Sequence, residues 1–409
     1  MKQYIAQRSF PNKLKSDILK LGAMAKADAA TGNKVINATI GAFLNDDKTL
    51  NLVPSVISSI NKHLETSMGY PPIAGGPLYK EGLLRWFFKD NYDSIMSKFY
   101  VPFTASLGGT GALSLAFNIF LDQNHTVLLP SIMWSNYKLI AEKARLNHDT
   151  YELFNENKKF NIDALCSKIT EYQEVQDNVL VVINDPCQNP TGYSLSDSEY
   201  EELIDRLNEL SIDKKVTVLF DIAYLDYDSN NQQMHRLFKY MTTKETNFLC
   251  IFAASCSKIF GMYGLRVGAL FALTKDIDFS TDLVTALESH IRGTYSCPNG
   301  PALQSLGFLL TKEFSEKVSN EIYQNTVVLN ERTHYFISLL EKYNLEYLPY
   351  VNGFFVTLKV KNAQNIFDLL KEKHTYVIPI AQDLIRIAVC SLNKIEIEEL
   401  ILQLVEILK

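Results

Sequence analysis

The chain has 409 residues, of which 47% are apolar and 21% charged, which is the balance of an ordinary soluble globular protein. A chain of this length exceeds the usual size of one hydrophobic core, so we expect one large and one smaller domain. The formal net charge of -6 argues against a nucleic-acid-binding protein, whose signature would be a basic excess or stripe.

The cysteines and the N-terminus indicate a reducing location. The six cysteines form no C-x-x-C pair, and nothing near them supplies the other half of a zinc site. Scattered cysteines with apolar neighbours are typical of a reducing compartment. The N-terminal residues also show no apolar run long enough for a signal peptide or a membrane span. We therefore expect a cytoplasmic protein.

In chain order, the middle of the sequence alternates short apolar segments with amphipathic ones. Four segments are rich in Val, Ile, Leu and Phe without polar alternation, which predicts strands of a parallel sheet covered on both faces. They are His125–Ser131, Asn178–Asn184, Val216–Asp221 and Phe248–Ser255. Ser196 with Glu199 three residues later predicts a capping box on a helix that ends near Leu210. This alternation predicts an α/β domain.

The pattern changes after about residue 310. The segments predicted there are, in order, one or two helices over Lys312–Tyr343, a helix near 363–373, short strands around 376–389 and a terminal helix from Asn393. We therefore expect a large domain over residues 51–310 and a smaller α+β domain over residues 311–409. Residues 1–50 are expected to form an N-terminal arm and part of the smaller domain.

Two of the predicted strands are followed by side chains that suit a ligand site. Lys258 follows Ser255-Cys256-Ser257, where burial of an ammonium is costly, and a desolvated lysine amine suits Schiff-base chemistry. A lysine that extends from the strand end to solvent is the alternative. Asp221 ends a strand at the sheet edge where α/β proteins bind ligands, and it could accept a hydrogen bond from a protonated pyridine nitrogen. Tyr224 could reach a phenolic oxygen of the same ring. The alternative for Asp221 is the role of a helix N-cap.

Two loops complete this set. The loop Asn184–Gly192 (NDPCQNPTG) contains two X-Pro bonds and a glycine, so it has a defined shape in which the amide of Asn189 can bind a ligand. A plain turn is the alternative. The segment 108–111 (GGTG) opens an apolar helical run, and free amides at a helix start attract phosphate. It matches neither a dinucleotide-binding nor an ATP-binding motif.

Three segments in this order resemble the fold-type-I pyridoxal-phosphate aminotransferases. They are NPTG at 189–192, D-x-A-Y at 221–224 and S-x-S-K-x-F-G-x-Y-x-x-R-V-G at 255–268. The resemblance extends from about residue 35 to residue 392. It implies the aspartate-aminotransferase-like fold, with a mostly parallel seven-stranded sheet in the large domain and a smaller α+β domain. It also implies ping-pong transamination with pyridoxal 5'-phosphate (PLP) as the cofactor.

The resemblance assigns a role to each matching residue. Lys258 would hold PLP as a Schiff base and carry the proton between substrate and cofactor. The other cofactor residues would be Asp221 on the pyridinium nitrogen, Asn189 and Tyr224 on the phenolic oxygen, Gly109, Thr110, Ser255 and Arg266 on the phosphate, and Trp134 stacked on the ring. Arg386, inside an apolar strand-like run, would clamp the substrate α-carboxylate. A core aromatic and a surface arginine are the alternatives for Trp134 and Arg386.

Three further segments resemble aspartate and aromatic amino acid aminotransferases in particular. Tyr70, in Y-P-P-I-A-G, would reach the phosphate of the neighbouring subunit, which implies a homodimer. Arg292, in R-G-T-Y-S-C-P, would cross that interface to bind a distal substrate carboxylate. This favours aspartate or glutamate as donor and 2-oxoglutarate as acceptor, although close relatives that move this arginine aside also accept aromatic amino acids. Gly41 lies in a stretch similar to the one that closes over substrate. An ordinary loop or interface segment is the alternative for all three.

Three positions depart from the family pattern. Cys297 stands where an asparagine is usual, which could loosen the network that steers Arg292. Gly108 stands where a serine is frequent, which removes one hydroxyl that could bind phosphate. Tyr137 stands where a histidine supports the aspartate, which alters the support of Asp221. These departures affect the expected substrate preference more than the reaction type.

Rival functions on the same fold remain open at this point. A C-S lyase would keep Lys258, Asp221 and Arg386 but needs no arginine for a distal carboxylate, so Arg292 argues against it. A non-catalytic PLP-binding homologue is opposed because every primary cofactor position is filled. A regulator with an N-terminal DNA-binding domain is opposed by the start of the resemblance near residue 35 and by the net charge.

Overall fold

The computed structural model describes residues 18–228 and 235–408. This part of the chain divides into two compact units. The large unit comprises residues 49–331 and 349–354, and the small unit comprises the described residues up to Lys48, Arg332–Leu348 and the residues from Phe355 onwards. In the described ranges, no helix combines the length and the apolar character that a membrane span requires.

The secondary structure follows in chain order for the described residues. The strands are β1 Ile36–Asn37, β2 Phe103–Ser106, β3 Thr126–Pro130, β4 Asn147–Tyr151, β5 Asn178–Asn184, β6 Lys215–Asp221, β7 Leu249–Ser255, β8 Gly268–Leu273, β9 Phe355–Lys359, β10 Thr375–Tyr376, β11 Ile378–Pro379 and β12 Leu384–Ala388. The helices are α1 Ile18–Ala30, α2 Pro54–His63, α3 Pro77–Phe88, α4 Tyr92–Lys98, α5 Gly108–Phe120, α6 Asn136–Lys143, α7 Ile162–Tyr172, α8 Asp197–Leu210, α9 Arg236–Thr243, α10 Cys256–Ile259, α11 Ile277–Thr294, α12 Gly300–Leu309, α13 Lys312–Lys342, α14 Ala363–Glu372 and α15 Lys394–Leu408.

The large unit is built on a seven-stranded sheet with the order β2-β8-β7-β6-β5-β3-β4. Strand β8 pairs antiparallel with both β2 and β7, and the remaining pairs are parallel. The α/β fold with a mostly parallel seven-stranded sheet, which the resemblance implied, is therefore confirmed. The four predicted strands are confirmed as β3, β5, β6 and β7, with ends that differ from the prediction by one residue at most.

Burial on both faces explains why these strands lack polar alternation. In β6, Val218 and Phe220 belong to the apolar cluster on one face of the sheet, whereas Leu219 belongs to the cluster on the other face. Both clusters are closed by the helices that connect successive parallel strands. A sheet covered in this way requires apolar residues at consecutive positions.

The small unit contains two sheets of its own. Strands β11, β12 and β9 form an antiparallel sheet, and β1 pairs parallel with β10. The segment Lys312–Tyr343, predicted as one or two helices, contains a single helix, Lys312–Lys342, and the boundary between the units falls within it at Arg332.

Candidate active site

The parallel strands of the large unit bring the predicted site residues of that unit to one edge of the sheet. Strands β5, β6 and β7 are neighbours, and Asp221 at the end of β6 pairs in register with Asn184 of β5 and Ala253 of β7. Because parallel strands end at the same edge, the residues that follow β5, β6 and β7 share one end of the sheet. The ends of β2 and β3 lead there too, since both strands run in the same direction.

Lys258 lies at this edge, in the short helix α10 that directly follows β7. Its side chain is half-buried, and Nζ lies 4.8 Å from the ring centroid of Tyr263 and 6.0 Å from that of Tyr224. These distances allow cation–π attraction, which holds an ammonium among aromatic rings. The backbone oxygen of Lys258 also accepts a hydrogen bond from the hydroxyl of Tyr227 at 2.9 Å. The lysine is thus held at the site by its main chain and by its aromatic neighbours.

Asp221 is a buried carboxylate with two hydrogen-bond donors. Its side chain is 5% exposed, Oδ2 accepts from the hydroxyl of Tyr137 at 2.5 Å, and Oδ1 accepts from the backbone N–H of Ala223 at 3.2 Å. Burial raises the pKa of Asp221 to about 6, while both hydrogen bonds and the charge of Lys258 oppose this rise. A carboxylate buried in this way is stabilised by a cation beside it.

The loop after β5, which contains Asn189, is linked to the end of β6 through Asn184. The side chain of Asn184 donates to the backbone oxygen of Asp221 at 2.9 Å, and its Oδ1 accepts from the backbone N–H of Asn189 at 2.8 Å. Gln188 closes the loop, because its Oε1 accepts from both the backbone N–H and the hydroxyl of Thr191. The loop is thus fixed to the end of β6 by side-chain amides, and the peptide bonds before Pro186 and Pro190 are cis.

Helix α5 begins at Gly108, directly after β2, and Gly109 and Thr110 lie in its first turn. The first backbone N–H groups of a helix lack partners within the helix, so they attract anions. Gly109 lies against Ser255, since a Cβ atom at Gly109 would be 3.2 Å from that of the serine. Arg266 lies against Gly108, and its guanidinium donates to the backbone oxygens of Tyr263 and Leu107 at 2.7 and 3.4 Å. A helix start, a buried serine and an arginine together form a suitable phosphate cradle.

Trp134 stands at the same edge, after β3 and just before α6. Its ring is half-buried and packs edge-to-face on the ring of Tyr137, with centroids 5.5 Å apart and planes at 84°. The same Tyr137 donates its hydroxyl to Asp221, so one side chain contacts both of these predicted cofactor residues.

Tyr70 and Arg292, predicted to act across a dimer interface, both lie on the surface of the large unit. Tyr70 is 93% exposed, beside a surface cavity of about 320 Å³ that is also lined by Pro71, Pro72 and Tyr79. Arg292 lies in the last turn of α11 and its guanidinium donates to the hydroxyl of Ser296 at 2.6 Å. The role of both residues across a dimer interface stays a prediction.

Arg386 and Gly41 belong to the small unit. Arg386 lies in the middle strand of the antiparallel sheet, is 3% exposed, and has its guanidinium 4.4 Å from the ring centroid of Phe355. Its Nη2 donates to the backbone oxygen of Thr39 at 2.9 Å, in the stretch that contains Gly41. This contact joins the predicted carboxylate-binding arginine to the predicted substrate-closing stretch within one unit.

Several residues of the site had no role in the sequence interpretation. The hydroxyl of Ser257 accepts from Arg266 at 3.3 Å, and Tyr263 contributes the ring nearest to the amine of Lys258. Both lie inside the S-x-S-K-x-F-G-x-Y-x-x-R motif, which could have pointed to them. Phe354 packs edge-to-face on Tyr224 at 5.2 Å, but it lies 130 residues further along the chain, and no local pattern announces it.

The donor set of the large unit fits PLP. The buried Asp221 carboxylate suits a protonated ring nitrogen, and the half-buried amine of Lys258 suits an aldehyde. The start of α5 with Ser255 and Arg266 suits a phosphate, and the positive φ of +69° at Gly108 lets the backbone approach it closely. Three chemically different groups of one cofactor thus find matching partners at one sheet edge.

Comparison with known proteins agrees with this chemistry. A family model described as "Aminotransferase class I and II" matches residues 33–404. The chain belongs to this family, and it is an aminotransferase whose cofactor is PLP.

Individual relatives point the same way. The aspartate aminotransferase of Pseudomonas aeruginosa is 26% identical over 291 residues, which cover 69% of each chain. The crystal structure of an aminotransferase from Anaerococcus prevotii is 27% identical, matches the whole of both chains and superposes with a TM-score of 0.93. The aromatic-amino-acid aminotransferase of Burkholderia pseudomallei, covalently bound to PLP, shares the fold at 22% identity with a TM-score of 0.81 over 99% of this chain and 100% of that one.

Proposed function

We propose that this enzyme transfers the amino group of an L-amino acid to a 2-oxo acid such as 2-oxoglutarate. The proposed donors are aspartate, glutamate or an aromatic amino acid. The observation that carries the proposal is the pair formed by Lys258 and the buried Asp221 at the ends of two neighbouring parallel strands. Relatives in the same family are named as aspartate and tyrosine aminotransferases, which supports this choice of donors.

Each protein group has a proposed task in the reaction. PLP, when bound, supplies an aldehyde for the substrate amine and a ring that withdraws electrons from the α-carbon. The amine of Lys258 is the proposed base that removes the proton from the substrate α-carbon and later returns one, because a positioned amine can act as both base and acid. Asp221 is proposed to stabilise the protonated ring nitrogen, because a buried carboxylate and an adjacent cation stabilise each other.

The remaining side chains are proposed to bind and orient. Asn189 and Tyr224 would bind the phenolic oxygen, and Trp134 would cover one face of the ring. The start of α5 with Thr110, Ser255 and Arg266 would hold the phosphate. These contacts would limit the ring to one orientation. Polar groups that are already fixed in place lower the activation barrier, because they need not reorganise during the reaction.

Substrate recognition is proposed to depend on two arginines. Arg386 would bind the α-carboxylate in a bidentate fork, and its contact with Thr39 fixes one edge of the guanidinium. Arg292 of the partner subunit would bind the distal carboxylate of aspartate or glutamate. We further propose a homodimer, to which each subunit contributes Tyr70 and Arg292 across the interface, and a cytoplasmic location.

A spectroscopic titration tests the reaction and the donor together. The visible absorption of the PLP-loaded protein is followed during addition of aspartate, and separately of phenylalanine, without any oxo acid. We expect aspartate to convert the aldehyde form of the cofactor to the amine form, and 2-oxoglutarate to restore it. Conversion by phenylalanine alone would contradict the role of Arg292 but keep the reaction.

Two further measurements complete this test. Continuous release of ammonia in place of a single conversion would contradict transamination and favour elimination. The Lys258→Ala variant should lose about 10²- to 10⁴-fold in the rate of conversion, because it lacks the proposed base. A Lys275→Ala variant is the control, since that exposed lysine pairs with a surface glutamate, Glu245.

A further inference from the structure

Tyr137 is a fully buried phenol between two elements of the site. It is the second residue of α6, its hydroxyl donates to Oδ2 of Asp221 at 2.5 Å, and its ring packs edge-to-face on Trp134. Its backbone N–H also donates to the backbone oxygen of Trp134 at 3.1 Å. These three contacts each reach a predicted ring-binding residue.

We infer that Tyr137 is a positioning residue that keeps the Asp221 carboxylate ionised and correctly oriented for a protonated pyridine nitrogen, and that holds Trp134 beside it. The inference rests on the proposed pairing of Asp221 with that nitrogen. A phenol is a neutral donor, so it stabilises the charged form of the carboxylate without bringing a charge that competes with the ring nitrogen.

The surroundings of this pair leave Asp221 as the group that titrates. The titratable side chains that face the pair are Lys258 after β7, Tyr224 after β6 and Tyr151 in β4. Burial and the carboxylate of Asp221 hold the pKa of Tyr137 well above its usual range, so the phenol keeps its proton at neutral pH. Burial raises the pKa of Asp221 to about 6, and the hydrogen bond from Tyr137 acts in the opposite direction. Removal of the phenol hydroxyl therefore moves the titration of Asp221 to higher pH.

The expected consequence appears in the affinity for PLP as a function of pH. A carboxylic acid that is protonated in the empty protein must lose its proton before it can pair with a pyridinium, so affinity falls as pH drops below its pKa. A hydrogen bond to a charged group shifts the pKa by about one to two units. In Tyr137→Phe, PLP should therefore bind about 5- to 50-fold more weakly than in the wild type at pH 6. At pH 8.5 the two proteins should bind nearly equally, because both carboxylates are then mainly ionised.

The experiment is a PLP titration of the full-length protein after removal of the cofactor, followed by protein fluorescence between pH 5.5 and 8.5. The ratio of the two dissociation constants isolates Asp221, because the ionisation of free PLP is common to both proteins. Tyr151→Phe is the matched control: this tyrosine is equally buried, but its hydroxyl donates at 2.9 Å to the backbone oxygen of Val182. Its ratio to the wild type should not depend on pH.

The outcomes separate this inference from the proposed function. A Tyr137→Phe ratio that is the same at every pH would show a packing role and overturn the inference, while transamination by the wild type would still support the function. If PLP binds to the wild type without amino transfer, the function fails instead. Asp221→Asn supplies a second measurement if Tyr137→Phe does not fold. The asparagine variant should lose the wild-type pH dependence of affinity that is due to the carboxylate, and an unchanged dependence would overturn the inference.

Discussion

Gly108 shows how one residue shapes the proposed phosphate site. Its φ of +69° lies in the left-handed region, which L-residues with a Cβ atom rarely adopt. A Cβ atom there would also lie 2.7 Å from Nη2 of Arg266. The sequence interpretation treated this glycine as the loss of a hydroxyl. The structure adds a positive reason for glycine, because the guanidinium of Arg266 occupies the space that a side chain would need.

We predict that Gly108→Ala weakens PLP binding by at least about tenfold, since the methyl group would displace Arg266 from its proposed contact with the phosphate. The measurement is the dissociation constant of PLP from the loaded protein. Gly32→Ala is the matched control, because this glycine also has a positive φ, of +94°, but nothing lies within 4 Å of a Cβ atom there. The control should lower the melting temperature through backbone strain and leave PLP binding unchanged; equal losses of affinity in both variants would contradict the prediction.

At the scale of elements, helix α8 is joined through a buried carboxylate to Tyr193, which directly follows the loop Asn184–Gly192. Glu199 completes the capping box with Ser196 and also accepts from the hydroxyl of Tyr193 at 2.6 Å and from the backbone N–H of Phe160 at 2.9 Å. The capping box was predicted from the sequence and is confirmed. The two additional donors to Glu199 come from Tyr193 and Phe160, and neither contact follows from the spacing of residues in the helix.

Loss of the cap should destabilise the large unit. Ser196→Ala removes the side chain that accepts from the backbone N–H of Glu199, and such a loss costs about 1 kcal/mol in the free energy of unfolding. For a unit of this size we expect the melting temperature to fall by about 2 °C. Ser338→Ala, an exposed position inside α13, is the control, since alanine is no worse than serine within a helix. A melting temperature that is unchanged in Ser196→Ala would contradict the prediction.

At the scale of the whole molecule, Tyr70 and Arg292 have their proposed partners in a second subunit. Both lie at the surface of the large unit, where the 320 Å³ cavity beside Tyr70 is lined by prolines and glycines and by the buried side chains of Tyr79 and Leu303. In a two-fold symmetric dimer, each residue at the interface would serve the site of the other subunit. This arrangement is a proposal, and it has a direct test.

We predict that a hybrid dimer of Lys258→Ala and Arg292→Ala subunits has one intact site. The intact site combines the lysine of one subunit with the arginine of the other. Hybrids purified through two different tags should recover about half of the wild-type rate with aspartate, whereas both homodimers are nearly inactive. If Arg292 instead served its own subunit, both sites of the hybrid would be damaged and no activity would return. That result would contradict the shared site.

The prediction from sequence was most accurate where local pattern and fold agree. Strands β3, β5, β6 and β7 were found because burial on both faces demands continuous apolar runs. The motifs around Asn189, Asp221 and Lys258 were found because each directly follows one of those strands. Strands β2, β4 and β8 were not individually predicted. Strand β4 (Asn147–Tyr151) carries mainly polar residues, since it lies at the edge of the sheet with one hydrogen-bonded neighbour, and no apolar run marks it.

The sequence by itself determined the α/β class, the family, the cofactor and the order of the motifs along the chain. It did so because those properties depend on residue types at short spacings. The tertiary structure alone decided the geometry in which distant groups meet: the hydroxyl of Tyr137 on the carboxylate of Asp221, the guanidinium of Arg266 against Gly108, and the ring of Phe354 on that of Tyr224. The physical reason is that strand order and chain reversal set these contacts. The pair Tyr137 and Asp221 is separated by 84 residues in the chain, yet it is joined by one hydrogen bond.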